Sequence, residues 1–211
     1  MRKWYPWLVV GAVLGFTAVV YNRLPAQLPT HWDMRGVVSG WTGRALGAWL
    51  MPGIIAAMAL ILPWLPSIDP KRVNYEKFRA TYDLVINAII TIAGALHVAM
   101  LGVALGWPIS MGRLTPVMVG ALFIVLGNVM PRARPNWLFG IRTPWTLTND
   151  RVWERTHRLG GFMFVGAGVV VMLVAVAPVW LAMPLIVTTA VVASVVPLVY
   201  SYFAWKQETT R

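Results

Sequence analysis

Residues Leu84–Trp107 read LVINAIITIAGALHVAMLGVALGW, a run without a single lysine, arginine, aspartate or glutamate. At about 1.5 Å per helical residue it is long enough to cross the roughly 30 Å hydrocarbon layer of a bilayer. Five more apolar stretches flank it: Pro6–Tyr21, Ala45–Leu65, Leu114–Met130, Leu159–Val179 and Leu181–Trp205. The first and fourth are short, and a tight turn near Pro178 and Pro184 separates the last two. The expectation is an all-α, polytopic membrane protein with about six transmembrane helices.

Composition agrees. The chain of 211 residues is 58% hydrophobic and 12% charged, against about 45–50% and 25% in soluble domains. With no cysteine, disulfides, thiolate metal sites and cysteine nucleophiles are excluded. The net charge of +11 would suggest nucleic acid in a soluble protein. In a membrane protein it reports topology and anionic headgroups, so no direct nucleic-acid binding is expected. Arg2 and Lys3 before an apolar run also fit a signal peptide, but Tyr21-Asn22-Arg23-Leu24-Pro25 lacks a small-residue cleavage pattern, and a retained helix is expected.

Charge then orients the spans. Of the 18 lysines and arginines, fourteen fall on one side: Arg2, Lys3, Lys71, Arg72, Lys77, Arg79, Arg132, Arg134, Arg142, Arg151, Arg155, Arg158, Lys206 and Arg211. Only Arg23, Arg35, Arg44 and Arg113 fall on the other. The positive-inside rule places both termini and the second and fourth loops in the cytoplasm. Trp4, Trp7, Trp49, Trp64, Trp107, Trp180 and Trp205 lie near span ends, where indole rings favour the headgroup layer. The chain divides into a two-helix segment with an external loop (1–65) and a four-helix segment (66–211) containing a cytoplasmic loop over 131–158.

That loop is the richest stretch. Pro131 and Pro135 stop the fourth helix, and Gly140 and Pro144 punctuate a turn-rich segment. Thr148 or Asn149 can cap a new helix, with Asp150 at its positive end. On it Arg151, Arg155 and Arg158 share a face, Glu154 is placed to pair with Arg158, and Trp153 and His157 share a neighbouring face. A snorkelling lipid anchor is the plain reading. Loop length and Trp content favour a docking platform for a protein or phosphate-bearing ligand, with Arg134, Asn136, Arg142, Trp145, Arg151, Trp153, Arg155 and His157 as candidate contacts.

The external loop offers His31, Trp32 and Asp33. Two ligands do not make a zinc site, so no metal or other cofactor is expected there; a compact loop or a ligand-sensing surface remain. In the third span Asp83, Asn87, Thr91, Gly94 and His97 fall in one stripe about 120° wide at 100° per residue. Such groups normally face protein rather than lipid, and Gly94 permits close approach. The stripe serves interhelical hydrogen bonding, a polar path, or coupling between the two membrane faces, with Asn128 as a partner. Pro197 predicts a kink in the last span.

The fourth loop resembles the SdpI family of bacterial membrane immunity proteins. The matching words are Asn128, Met130-Pro131, Arg134-Pro135-Asn136, Gly140-Ile141-Arg142-Thr143-Pro144-Trp145-Thr146-Leu147, Val152-Trp153 and Arg155-Thr156-His157. Leu24-Pro25, Leu28-Pro29, His31-Trp32-Asp33, Gly36, Gly40 and Trp41 are similar to the small domain of unknown function that often precedes that segment. The resemblance implies a six-span protein of the bacterial inner membrane and a non-enzymatic role. It implies sensing of a secreted peptide toxin outside and capture of a small helix-turn-helix repressor inside. The alternative is a small transporter or lipid-handling protein, against which stands the lack of internal repeats. An intramembrane enzyme would rest on Glu154 and His157 alone, since no HExxH or GxSxG motif occurs.

Overall fold

The computed structural model describes residues 4–210; Arg2, Lys3 and Arg211, three of the fourteen basic residues above, lie outside them. Six long helices are apolar enough to span a membrane. In chain order they are α1 (Tyr5–Val20), α2 (Arg44–Ile61), α3 (Arg79–Ala104), α4 (Met111–Val129), α6 (Asp150–Leu173) and α7 (Val179–Thr209), with a one-turn helix α5 (Pro144–Thr148) before α6. Each expected span is found, displaced by a few residues at its ends. The turn between the last two spans lies at Ala177 and Pro178, while Pro184 and Pro197 both lie inside α7. Ring clashes and missing N–H groups are tolerated inside such helices because neighbouring polar groups re-satisfy the backbone.

One element was not foreseen. The loop after α1 is a β-hairpin, β1 (Gln27–Trp32) antiparallel to β2 (Val38–Gly43), paired from Gln27↔Gly43 to Trp32↔Val38. Its anchor is Leu28, fully buried over Gly47 of α2, where an added Cβ would lie 3.1 Å from the leucine. Val20, Leu24, Ala48, Met100 and Leu101 complete that cluster.

Packing falls into two groups. α1, α2 and α3 pack on one another, α4 packs on α6 and α6 on α7, and α3 against α4 joins the groups. α3, which the sequence reading grouped with the later helices, thus shares the core of the first two; Val10, Val13, Ile55, Ala59, Tyr75, Phe78, Tyr82, Ile86 and Ile90 form it. Between α3 and α4, Gly106 adopts φ +87°, and Trp107 folds back over Gly102 and beside Phe16. Large apolar side chains such as Leu8, Val19, Leu60, Phe162, Leu173, Val187 and Leu198 point outward. That pattern suits a hydrocarbon solvent, where outward leucine costs nothing.

The tightest pair is α4 with α6, and glycine sets it. A Cβ on Gly127 would lie 2.6 Å from the Gly161 carbonyl oxygen, and one on Gly161 would lie 2.7 Å from that of Gly127. Gly120 and Gly168 repeat the arrangement at 2.5 Å in both directions. Seven residues separate the two stations on each helix, so the same antiparallel register is enforced twice about 10 Å apart.

Candidate functional site

The segment after α4 is a folded body. α4 gives way to a 3-10 turn, Met130–Arg132, because Pro131 cannot continue the ladder. The Thr143 side chain accepts from the Thr146 backbone N–H, and Thr146 reciprocates, a capping box that starts α5 with Pro144 in its first turn. Asn149, one of the two expected caps, accepts from the N–H groups of Arg151 and Val152 and starts α6. α6 then runs unbroken through Gly160 and Gly161.

The centre of this body is Asn136, fully buried. Its Oδ1 accepts from the Leu138 and Phe139 N–H groups at 3.0 and 2.6 Å, and its Nδ2 donates to the Arg134 carbonyl at 2.8 Å. The Tyr75 hydroxyl lies 3.1 Å from that Oδ1 and 3.0 Å from Asp69 Oδ2. Asp69 also accepts from the Trp137 and Lys71 N–H groups. Asn74 Nδ2 donates to the Pro135 carbonyl and Lys71 Nζ to that of Leu147. The short loop between α2 and α3 therefore clamps the long one, with Asp69 bridging them. Sequence reading missed Asp69 because the partner that ties it to the long loop, Trp137, lies 68 positions away; its only signal was a carboxylate between two spans.

Trp153 and His157 form the second pillar. Both are 0% exposed and their rings stack with centroids 3.9 Å apart. Trp153 Nε1 donates to the Ala133 carbonyl at 2.8 Å. His157 Nδ1 lies 2.9 Å from the Trp153 carbonyl, which can only accept, so that nitrogen carries the proton. Its Nε2 accepts from the Ile141 N–H at 2.9 Å, which fixes one neutral tautomer. Expected as surface contacts, Asn136, Trp153 and His157 are instead interior; their hydrogen bonds are satisfied only because the loop folds back over α6.

Ion pairing also departs from expectation. Glu154 pairs with Arg134, not with Arg158. Arg151 and Arg155 both reach Glu208 at the end of α7, at 3.4 and 3.3 Å, and Arg155 also donates to Gln207. The shared arginine face is thus a seam to α7, leaving Arg158 exposed. Trp145 stacks edge-on against Tyr202. What does face outward is Arg132 and Arg134 together with Trp137, 49% exposed, and Leu138. Arg142, also exposed, donates to the Trp137 carbonyl. Trp137 and Leu138 were not singled out in the sequence, although they adjoin Asn136.

The polar stripe of α3 faces protein. Asn87 and His97 are buried, and Asp83 is ion-paired with Arg79. Thr91 is hydrogen-bonded to the Tyr5 hydroxyl at 2.9 Å, and His97 Nε2 to Thr17 at 3.0 Å. The stripe is interrupted, however. Val13 and Val9 press on Gly94, 3.0 and 3.2 Å from where its Cβ would be, and this apolar layer divides Thr91 from His97. Asn128 is not a partner: it is exposed and donates to the Ile124 carbonyl of its own helix.

At the hairpin, Asp33 accepts from the Val37 and Arg35 N–H groups and pairs with Arg35. The Val37 N–H, with Arg35, holds its carboxyl below the ordinary carboxylate value. Asp33 thus caps the turn. Trp32 closes β1 opposite Val38. His31 lies against Gly40. Among the described residues no group of three histidines or carboxylates could hold a metal.

Comparison with known proteins agrees with this architecture. Residues 132–201, the long loop and the two helices after it, match the SdpI/YfhL protein family. Residues 8–56, from α1 through the hairpin into α2, match the domain of unknown function DUF1648. The protein named "Immunity protein SdpI" from Bacillus subtilis (strain 168) is 26% identical over 153 residues, 72% of this chain and 71% of that protein. No solved structure matches. By these matches and its six apolar helices the chain is a multi-pass bacterial membrane protein that carries an SdpI/YfhL-family segment behind a DUF1648 domain.

Proposed function

We propose that this chain is a non-enzymatic membrane immunity protein. Its hairpin faces the outside and its long loop faces the cytoplasm. In this reading the outer face engages a secreted peptide toxin, and the inner loop holds a cytoplasmic protein, a small repressor being the partner that the family resemblance suggests.

The observation that carries the reading is the construction of the loop. A lipid anchor needs positive charge and little shape. Here Asn136, Asp69, Trp153 and His157 are spent inside a rigid body that presents Trp137, Leu138, Arg132 and Arg142 outward. Exposed Trp and Arg on a pre-ordered surface are what partner recognition uses. The basic residues concentrated around that body favour its cytoplasmic side. The Val9–Val13–Gly94 layer weighs against the transporter reading, because a polar path along α3 would have to cross it.

The test is expression in a strain lacking the gene, challenged with peptide toxins secreted by its own species, alongside capture of a co-expressed repressor on membranes. Charge-preserving substitution of the outward-facing Arg132, Arg134 and Arg142 by lysine separates geometry from charge, since lysine lacks the planar fork. Insertion is expected to survive while protection or capture falls. Full activity in the triple variant and in Trp137→Ala would reduce the loop to an electrostatic anchor.

A further inference from the structure

At the hairpin end the two helix groups diverge and enclose a cavity of about 710 Å³. Its walls come from five spans, through Leu50 of α2, Met100 of α3, Phe123 of α4, Val171 of α6 and Ile186 of α7, and its roof from the hairpin at His31. The hairpin tip rests on the other group, since Gly36 and Gly112 meet backbone to backbone. His97 of α3 borders this cavity. His97 is 2% exposed. Its Nε2 is held by Thr17, while its Nδ1 is buried without a hydrogen-bond partner. A buried polar atom left unpaired costs about 1–3 kcal/mol, so the position favours an occupant that supplies a hydrogen-bonding group.

We infer that this cavity is a binding site for a single-chain amphiphile, a hydrocarbon chain with a polar group seated at the His97 wall. Three observations choose that occupant. The walls are membrane spans lined by apolar side chains, so the chain is drawn from the bilayer rather than from water. The cavity falls within the size range of small-ligand pockets, and a flexible hydrocarbon chain can follow apolar walls contributed by five separate spans. The polar groups are concentrated at the roof, in Thr30, His31, Asp33 and Thr42, with His97, Thr115 and Thr189 scattered among apolar side chains in the walls, which suits an elongated molecule with a polar end. The site does not depend on whether the chain confers immunity.

The experiment uses the full chain in nanodiscs containing lysophosphatidylglycerol with a diazirine in its single acyl chain; a second arm uses a diazirine fatty acid, which separates a lysophospholipid source from a free acid. After irradiation, labelled positions are mapped by peptide mass spectrometry. Labelling is expected to concentrate at Met100, Phe123 and Ile186 over Val192 and Val196, which face outward from α7. Excess unlabelled lipid of the same kind is expected to suppress it. Ala190→Trp, which fills the cavity from α7, is expected to abolish labelling at those three positions, and Val192→Trp to leave it intact. His97→Phe, which removes both ring nitrogens and with them the Thr17 hydrogen bond, is expected to weaken retention through detergent washing, whereas Thr17→Val, which removes that bond alone, is expected to leave it intact. Labelling spread evenly over the outward faces, or unchanged by Ala190→Trp in a protein that still folds, would overturn the site. So would exclusion of both probes by a bound peptide found in the purified protein.

Discussion

The glycine register between α4 and α6 gives the sharpest quantitative test. Replacing Gly127 by alanine puts a methyl group 2.6 Å from the Gly161 carbonyl oxygen, 2.7 Å from Val165 N and 2.8 Å from Val165 Cγ2. Ordinary carbon contacts lie about 3.5–4.0 Å apart, so the helices must separate by close to 1 Å. Two of the three obstructing atoms are backbone and cannot rotate away. Overpacking of this kind costs about 1–3 kcal/mol, roughly a 5- to 150-fold shift in the folding equilibrium. Separation at one station also loosens the other, because Gly120 and Gly168 share the same rigid pair of axes. The Gly127→Ala/Gly161→Ala double variant should therefore cost less than the sum of the singles, since the first methyl opens the gap that the second needs. Gly166, on α6 with Gly161, has nothing within 4 Å of its missing Cβ. Gly166→Ala should be neutral or stabilising, because alanine is the better helix former by up to about 1 kcal/mol. Equilibrium unfolding in mixed micelles, followed by circular dichroism, measures all four proteins. If Gly127→Ala unfolds at the same denaturant concentration as Gly166→Ala, the close approach of α4 and α6 is wrong.

Three further outcomes are expected. Asn136→Ala leaves the Leu138 and Phe139 N–H groups without their acceptor and should loosen the long loop by about 2–4 kcal/mol, read as faster amide exchange at those two residues while the spans stay protected. Gly140→Ala is opposed twice, by φ +104° and by His157 lying where the methyl would go. It should cost about 1–3 kcal/mol and expose the loop to protease. The cysteine-free chain permits single-site labelling: a cysteine at Val37, in the hairpin turn, should react with an impermeant maleimide in intact cells. One at Arg134 should react only after permeabilisation, and the opposite pattern would invert the proposed orientation.

How much of this was legible in the chain differs by residue. Asn149 could be read as a cap because capping is local: its partners are two and three positions away. The stripe from Asn87 to His97 was visible because helical periodicity assigns side chains to a face. The same periodicity misassigned Glu154. Four positions from Arg158, it satisfied the helical rule, yet the loop brought Arg134 to it from 20 positions away. Trp153 and His157 looked like surface anchors because a helix emerging from a proline-rich loop has no visible cover; the cover is the loop itself. Asn128 lay at a suitable depth for the stripe but on the wrong side of its helix.

Sequence by itself determined the six spans and the charge asymmetry, because transfer into hydrocarbon depends on composition along a line and hardly on neighbours. Tertiary structure alone decided which faces meet. The pairing of Gly127 with Gly161 and Gly120 with Gly168, the bridge from Asp69 to Trp137, the seam from Arg155 to Glu208 and the cavity beside His97 each join residues far apart in the chain. Their energies arise from close packing and desolvated hydrogen bonds, which act over a few ångströms and exist only once the helices have found their partners.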